Sequence, residues 1–563
     1  MWPCENLLTN LFFGLYNKST GPPERAKEWK TEFYIKKGLL IMAKDIKGKY
    51  PYKPNSKENK KSVDSSNFDK QIKIRQFTEN ENKNVIHGSN IKGYRDDFSK
   101  KFSDELKERK KRIRKNVLEY TADDAGNIDC FIKAYGDYVK YNCDEQCFYV
   151  WSGKFWMRDT TNMVHLWCQT VMRARRDYTI DILGEDTSDK NHNDLLKHVK
   201  KCCNQTSVRA MVEGLKSTLS CKSHIFDTNK NLLNVLNGTI DLTTGKLKKH
   251  DRLDHITKLI PIEYDDKAES KTFNSFLEDT FDDKKLIEYV NKLLGYCITG
   301  ETKEQVVHFC IGSGANGKST LLSAVRYVLG EYAAVIPAKV LTGSEKSGAA
   351  SSEIAQLPHI RLVCCSELNC TDVLNEGKIK IMSSGETISS RQLYRVSFTY
   401  EPEFKFIIDT NYLPIINGTD HGIWRRIRVV PFDHTVPKDK LNKNLLNELK
   451  KDRKAILNWL VKGAKMYHSE GLEPCSEIEN ATKKYRKSQD TLSAFINSCI
   501  KEEEGGEIRA RALYSAYVEY CSDNLLTPMS EPKFGTDFAE RGFKRGKDKV
   551  SRKYLDIKFK NVS

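Results

Sequence analysis

The chain has 563 residues, of which 39% are hydrophobic and 30% are charged, and at roughly 150 residues per domain this length suggests about four domains. No stretch approaches the roughly 18 consecutive apolar residues of a membrane span, which excludes a transmembrane helix and a membrane partner. The 16 cysteines are irregularly spaced in a long chain, so we predict reduced thiols and a cytoplasmic location.

The net charge of +17 is concentrated at the start of the chain. Residues 1–120 carry 28 basic and 16 acidic side chains, a surplus of 12. Because polar and charged residues dominate this segment, we predict a basic, largely disordered N-terminal arm. Such an arm favours contact with nucleic acid, with a solubilising tail as the alternative. Met42 resembles a natural start, so residues 1–41 are predicted to be an extension.

Residues 121–265 contain regularly spaced aromatic side chains and short β-branched runs. Turn signals at Asn237-Gly238 and Thr244-Gly245 separate these runs, which predicts a small α+β domain. Apolar residues with helical spacing in residues 266–300 predict a helical collar after it.

The last two predicted regions are an α/β core and a small terminal unit. Residues 301–486 alternate short apolar strands with helices, the pattern of an α/β core. In residues 487–563, three predicted helices precede a strand pair, and this order favours a winged-helix-like domain. The predicted helices are 491–502, 511–524 and 531–541, and the strand pair lies around 550–559.

A glycine-rich loop follows the short apolar strand 306–311 and precedes a helical pattern. It matches the G-x-x-x-x-G-K-[ST] signature in the required strand–loop–helix context. The glycines allow backbone N–H groups to converge on a phosphate, the lysine places a charge on the β and γ oxygens, and the adjacent hydroxyl reaches Mg²⁺. The predicted site for ATP and Mg²⁺ comprises Gly312, Ser313, Gly314, Ala315, Asn316, Gly317, Lys318, Ser319 and Thr320.

Two polar side chains follow later strands of the predicted core. Glu367 comes after the strand 361–366, and Asn411 comes after the apolar run 403–410. Because ligands of open α/β sheets bind beyond the carboxyl ends of the strands, both side chains are predicted to converge with Lys318. Glu367 would hold Mg²⁺ or polarise the attacking water, and Asn411 would orient water or sense the γ-phosphate. Their alternatives are a cap and a plain turn residue.

Three arginines occur within four positions of the segment 418–428. Arg425 and Arg426 are candidates for an arginine finger, a guanidinium that stabilises transition-state charge on a neighbouring subunit's γ-phosphate. The alternative is a solvated basic helix end. The sequence does not distinguish between the two adjacent arginines.

Together, these motifs resemble the superfamily three helicases. The match runs through GSGANGKST, RLVCCSE, FIIDTN and GTDHGIWRRIRVVPF. It is closer still to the helicase half of the primase–helicases of phages, plasmids, integrative elements and poxvirus-type DNA viruses. The resemblance implies an AAA+ P-loop ATPase core in a homo-hexameric ring around single-stranded DNA, with 3′→5′ unwinding of forked DNA.

The resemblance also implies a DNA-binding hairpin over residues 390–406. Tyr394 and Arg395 lie near its tip, and an aromatic ring beside a guanidinium suits sequence-tolerant strand binding. Packing of Tyr394 in the sheet is the alternative. Lys380 and Arg391 match the family signature around the start of the hairpin and complete the predicted DNA-binding set.

The longer family members carry a primase domain before the helicase. Residues 1–120 are too few and too polar for that catalytic core, so we predict a replicative DNA helicase without priming activity. A separate primase or loader protein would then be its partner. A bifunctional primase–helicase and an origin-binding initiator ATPase are the alternatives.

Overall fold

The computed structural model describes residues 108–563 with gaps at 185–187, 343–352, 367, 370, 392–397, 419–420, 437–441, 525, 527, 548–551 and 561–563. All described residues belong to one compact unit, Ser103–Ser563. Most of the basic arm predicted for residues 1–120 lies outside them. In this part of the chain, no helix is both long enough and apolar enough to cross a membrane.

The end of the predicted arm is helical. Helix α1 spans residues 108–115 and buries Arg109 and Ile113. The Arg109 guanidinium lies 4.7 Å from the ring centroid of Tyr135 and 4.2 Å from that of Tyr138, a cation–π arrangement. The disorder predicted for residues 1–120 therefore does not extend over this helix, because the basic run packs on aromatic rings.

A four-stranded sheet with helices on one face forms the next layer. Its strand order is β3-β2-β1-β4, and all pairs are antiparallel except the parallel β1–β4 pair. Side chains of α2, α3 and α5 share a core with β1 and β2. The elements are α2 (Asp124–Tyr135), β1 (Val139–Asn142), β2 (Cys147–Trp151), β3 (Trp156–Arg158), α3 (Met163–Leu183), α4 (Lys190–Lys201), α5 (Gln205–Thr218) and β4 (Ser220–Cys221).

A separate antiparallel sheet and two helices lead into the core. The strands are β5 (Leu232–Val235), β6 (Gly238–Asp241) and β7 (Lys246–Lys248), and the turns between them lie where the sequence predicts them. Helices α6 (Lys271–Thr280) and α7 (Lys284–Cys297) follow, in agreement with the helical spacing of residues 266–300.

A five-stranded parallel sheet forms the centre of residues 301–486. Its order is β14-β8-β13-β10-β9. The elements are β8 (Val307–Ile311), α8 (Lys318–Leu329), β9 (Ala333–Pro337), β10 (Leu362–Ser366), α9 (Glu376–Ser384), β11 (Ile388–Ser390), β12 (Phe398–Tyr400), β13 (Lys405–Thr410), α10 (His421–Trp424), β14 (Ile427–Pro431), α11 (Leu445–Lys451), α12 (Arg453–Glu470) and α13 (Ser476–Gln489).

Both faces of this sheet are buried, which explains why its strands are apolar without alternation. Cys310 and Ile407 pack with residues of α7, α8 and α12 on one face. Phe309 and Phe406 pack with α9 and α13 residues on the other. The result is a mixed α/β fold in which the carboxyl ends of five strands meet at one edge.

The predicted hairpin is shorter than residues 390–406. Strand β11 pairs antiparallel with β12, from Ile388 opposite Tyr400 to Ser390 opposite Phe398. Phe406 is instead buried in β13 of the parallel sheet. The apolar run 403–410 therefore serves the core rather than the hairpin.

The terminal unit contains one strand more than the sequence predicts. Its sheet has the order β15-β17-β16 and is antiparallel. The helix predicted to reach residue 502 ends at Cys499, because the following acidic segment pairs with β17 as a strand. The elements are α14 (Thr491–Cys499), β15 (Ile500–Arg509), α15 (Ala510–Asp523), α16 (Glu531–Glu540), β16 (Arg545–Lys547) and β17 (Arg552–Phe559).

Candidate active site

The glycine-rich loop connects the carboxyl end of β8 to the first residue of α8. Gly314, Ala315 and Gly317 have φ values of +105°, +53° and +82°, in the left-handed region that glycine adopts at little cost. A Cβ on Gly312 would clash with the Asn316 side chain and the Phe432 carbonyl. The loop therefore requires its glycines, and it leads into the amino terminus of a helix, where anions are favoured.

Neighbouring segments hold this loop from two sides. Asn316 is buried and donates its Nδ2 to the Phe432 carbonyl over 2.9 Å. The Val436 N–H donates to the Ala315 carbonyl over 3.0 Å. On the other side, the Cβ position of Gly317 lies 2.8 Å from Thr280 Oγ1 of α6. The loop is thus fixed by the chain after β14 and by the end of α6.

Lys318 directs its ammonium back into the loop. The residue is 3% exposed, and Nζ donates to the Gly312 carbonyl at 2.8 Å, to Asn316 Oδ1 at 3.0 Å and to Asn411 Oδ1 at 3.2 Å. Burial lowers the pKa of Lys318 below that of an exposed lysine, and the attraction of Asp409 opposes this shift. An almost fully buried cation at the end of a strand is suited to binding a phosphate.

Ser319 and Asp409 form a contact that the sequence analysis missed. Ser319 Oγ donates to Asp409 Oδ2 over 2.6 Å. Asp409 lies near the carboxyl end of β13 and pairs with Ser366, the last residue of β10. In the sequence, Asp409 is a carboxylate within the apolar run before Asn411, and this could have marked it as a candidate site residue. Its contact with Ser319 depends on the pairing of β13 with β8.

Asn411 and Glu367 are the two residues that the sequence predicts to converge with Lys318. Asn411 follows β13, is exposed, and reaches Lys318, so the predicted convergence of these two side chains is observed. Glu367 lies outside the described residues. Among the described residues, no cluster of three or more His, Cys, Asp or Glu side chains is arranged to hold a metal.

Arg425 and Arg426 lie at the amino-terminal ends of the parallel strands, whereas the glycine-rich loop lies at their carboxyl ends. They precede β14, which pairs in parallel with β8 so that Ile427 is opposite Val307. Strands β8 and β14 have five residues each, so at about 3.3 Å per residue the two ends of these strands are about 16 Å apart. Arg425 is exposed and donates to Gln305 Oε1 over 2.9 Å. Arg426 is 8% exposed and donates to the Gly422 carbonyl over 2.6 Å.

The predicted DNA-binding residues belong to the hairpin and the helix before it. Lys380 lies on α9 and is half-buried, and Arg391 follows β11 and is exposed. Tyr394 and Arg395 lie outside the described residues. The end of α9 adjoins the turn before β8, because Gln305 Nε2 donates to the Ser384 carbonyl over 3.1 Å. The end of α9 and the start of the hairpin therefore lie near the amino-terminal end of β8, whereas the loop of Lys318 lies at its carboxyl end.

Three family models match successive parts of the chain. A model described as D5 N terminal like matches residues 128–282, and one described as poxvirus D5 protein-like matches residues 487–561. A family of unknown function matches residues 310–426, which include the glycine-rich loop and both candidate arginines. The range 310–426 also includes Asp409 and Asn411 of the site described above. Models of the D5 type thus match the chain on both sides of the glycine-rich loop, and this similarity supports a D5-type primase–helicase family.

Relatives of this chain occur in large DNA viruses. A protein of Acanthamoeba polyphaga mimivirus that is named a helicase is 32% identical over 323 residues, 53% of this chain and 34% of the relative. A protein of African swine fever virus that is named a primase is 28% identical over 331 residues, with the same coverage. The chain thus spans about a third of the length of these relatives. The solved C-terminal region of NrS-1 is 12% identical, with a TM-score of 0.41, over 74% of this chain and 95% of that one.

Proposed function

We propose that this chain is an ATP-dependent DNA helicase with an AAA+ P-loop motor. The observation that supports the motor is the buried Lys318 ammonium, held by Gly312, Asn316 and Asn411 at the end of β8. A phosphate bound there would meet this ammonium, the backbone N–H groups of the loop and the amino terminus of α8. The bond broken is the β–γ phosphoanhydride of ATP.

The chain's own residues have separate roles in this proposal. Lys318 neutralises phosphate charge, and Asn411 orients the attacking water or senses the γ-phosphate. Ser319 and Asp409 provide oxygen donors at this end of the strands, the donor type that Mg²⁺ prefers when it is held by a few protein groups and substrate phosphates. Glu367 is proposed from the sequence alone as a further carboxylate ligand. Bound Mg²⁺ would neutralise charge on the β and γ oxygens. The donor set of hydroxyl and carboxylate therefore fits this ion.

The DNA-binding part of the proposal rests on the hairpin and on family resemblance. Lys380, Arg391, Tyr394 and Arg395 would contact single-stranded DNA in the channel of a homo-hexameric ring, by phosphate attraction and base stacking. The polarity would be 3′→5′ on forked DNA. A winged-helix-like fold is proposed for residues 487–563, where three helices pack on a three-stranded sheet.

Strand displacement on forked duplexes tests the helicase proposal. With ATP and Mg²⁺ we expect displacement only when the fork has a 3′ single-stranded arm, because translocation would start on that strand. A fork with only a 5′ arm and a reaction with a non-hydrolysable ATP analogue serve as controls. Displacement from the 5′ arm alone would contradict the polarity. DNA-stimulated ATPase without any displacement would favour an initiator or a motor that requires a loader.

Priming is a second candidate activity, because one relative is named a primase. Template-dependent incorporation of ribonucleotides by the full chain would establish it. The origin-binding alternative has weaker support, since Lys553 and Lys558 in the terminal sheet are ion-paired with Glu507 and Glu503. Paired lysines offer less charge to duplex phosphates than free ones.

Asp409→Asn removes the negative charge of this side chain but keeps an oxygen that can accept the hydrogen bond from Ser319. Asparagine can still accept from Ser319, but it is a poorer ligand or partner for a divalent cation. We expect the affinity for Mn²⁺ in the presence of a non-hydrolysable ATP analogue to fall by about 10–100-fold, measured by electron paramagnetic resonance. Asp523→Asn, an exposed carboxylate at the end of α15 in the terminal unit, is the matched control. Equal Mn²⁺ affinity in wild type and Asp409→Asn would exclude a role of Asp409 in metal binding.

A further inference from the structure

The turn before β8 contains a glutamine in an unusual backbone conformation. Gln305 has a φ of +55°, in the left-handed region that few residues other than glycine, asparagine and aspartate adopt. Its N–H donates to the Thr302 carbonyl over 3.2 Å and closes the turn. Strained backbone conformations cluster at functional sites, and the Gln305 side chain contacts the candidate finger Arg425.

The Gln305 side chain joins two segments that are far apart in sequence. Its Oε1 accepts from the Arg425 guanidinium over 2.9 Å, and its Nε2 donates to the Ser384 carbonyl over 3.1 Å. Ser384 is the last residue of α9, from which the chain continues into β11. The adjacent Gly385 has a φ of +78°, and a Cβ there would lie 2.6 Å from Thr302 Oγ1. The turn and the end of α9 are therefore in direct contact.

The same turn is anchored on its other side. Tyr467 of α12 donates to Glu304 Oε1 over 3.0 Å, and the Glu304 N–H donates to Tyr296 OH of α7 over 3.4 Å. Both tyrosines are buried. The backbone of the turn is thus tied to the helical layer, so a shift at the end of α9 acts on the Gln305 side chain rather than on the whole turn.

We propose that Gln305 is a positioning residue that holds Arg425 for a neighbouring subunit's nucleotide and links it to the segment leading into the hairpin. This inference rests on the proposed helicase function. Arg425 lies about 16 Å from the loop of its own subunit, as estimated from strand length, so its partner phosphate would belong to another copy. Through Gln305, a movement of α9 and β11 on DNA binding changes the orientation of the Arg425 guanidinium.

The chemistry of the link requires an amide of this length. One end of the Gln305 side chain must accept from a guanidinium, and the other must donate to a carbonyl, so glutamate supplies only the first contact. Asparagine is shorter by one methylene and cannot span both partners. Glycine removes both contacts but suits the positive φ. Gln305→Gly is therefore a variant in which the turn retains its backbone conformation.

The test compares steady-state ATPase with and without single-stranded DNA. For Gln305→Gly and Gln305→Glu we expect the DNA-stimulated kcat to fall by about tenfold to a hundredfold, the usual effect of misplacing a group that acts in the transition state. The KM for ATP should stay at the wild-type value, because the loop of Lys318 is untouched. Gln146→Gly makes the same substitution at an exposed glutamine with a φ of +53° in the turn between β1 and β2, and this control should retain the wild-type kcat.

A double variant distinguishes positioning from a general structural role. If Gln305 acts through Arg425, Gln305→Gly combined with Arg425→Ala will have the same kcat as Arg425→Ala alone. Additive losses, or wild-type DNA stimulation in Gln305→Gly, would overturn the inference. If the wild-type chain has no DNA-stimulated ATPase at all, the proposed function has failed, which is a different result from failure of the Gln305 link.

Discussion

Replacing Lys318 by alanine is expected to abolish ATP hydrolysis and strand displacement. The ammonium is the buried cation of the site, held by three oxygen atoms at 2.8–3.2 Å. Removal of one preorganised group that stabilises transition-state charge typically lowers kcat by about 10²–10³-fold. Because this ammonium would also contact the ground-state phosphates, affinity for ATP should fall as well, measurable with a fluorescent nucleotide analogue.

The matched control for this variant is Lys465→Ala, which removes an exposed lysine from α12. It changes the net charge by the same amount but lies on a helix surface, so ATPase should be unchanged. Circular dichroism of both variants checks the fold. Wild-type ATPase in Lys318→Ala would mean that the loop of residues 312–320 does not bind the reacting nucleotide.

The glycine-rich loop could be predicted from sequence because its signal is local. Strand, loop and helix are contiguous, and two of the three positive φ values in the loop occur at glycines, Gly314 and Gly317, while the third occurs at Ala315. The family was also recognisable from the order of the motifs, and the family models confirm it. Convergence of Asn411 with Lys318 followed from one general rule about the carboxyl ends of parallel strands.

Contacts that depend on strand order could not be predicted in the same way. Asp409 meets Ser319 only because β13 is inserted between β8 and β10, and no local pattern encodes that order. Gln305 joins Ser384 and Arg425, which are 79 and 120 residues away. In a single sequence it is an ordinary polar residue in a turn.

Local patterns also failed where two structures compete for one segment. The acidic, glycine-containing segment after Cys499 is a poor strand former by composition, yet it pairs with β17, and Lys501 and Lys558 lie opposite each other in the ladder. Their common partner Glu503 forms ion pairs with both. Cross-strand charge pairing of this kind is invisible until the strands are brought together.

The position of Arg425 leads to the second large expected effect. Arg425→Ala should lower kcat by about 10³-fold or more, the scale of an arginine finger supplied in trans, with little change in affinity for ATP. Arg426→Ala is the neighbouring comparison. Because Arg426 is buried and donates to Gly422 of its own chain, its loss should reduce the free energy of unfolding rather than act on a neighbouring nucleotide.

Mixing inactive variants tests whether Arg425 acts between subunits. In a ring built from equal amounts of Arg425→Ala and Lys318→Ala chains, about a quarter of the head-to-tail interfaces would pair an intact loop with an intact arginine. ATPase should therefore reappear on mixing, although each variant alone is inactive. If activity stays absent at every mixing ratio while size-exclusion chromatography shows mixed assemblies, Arg425 serves its own subunit or none. Recovery would mean that the two edges of the sheet, separated within one chain, meet across the interface.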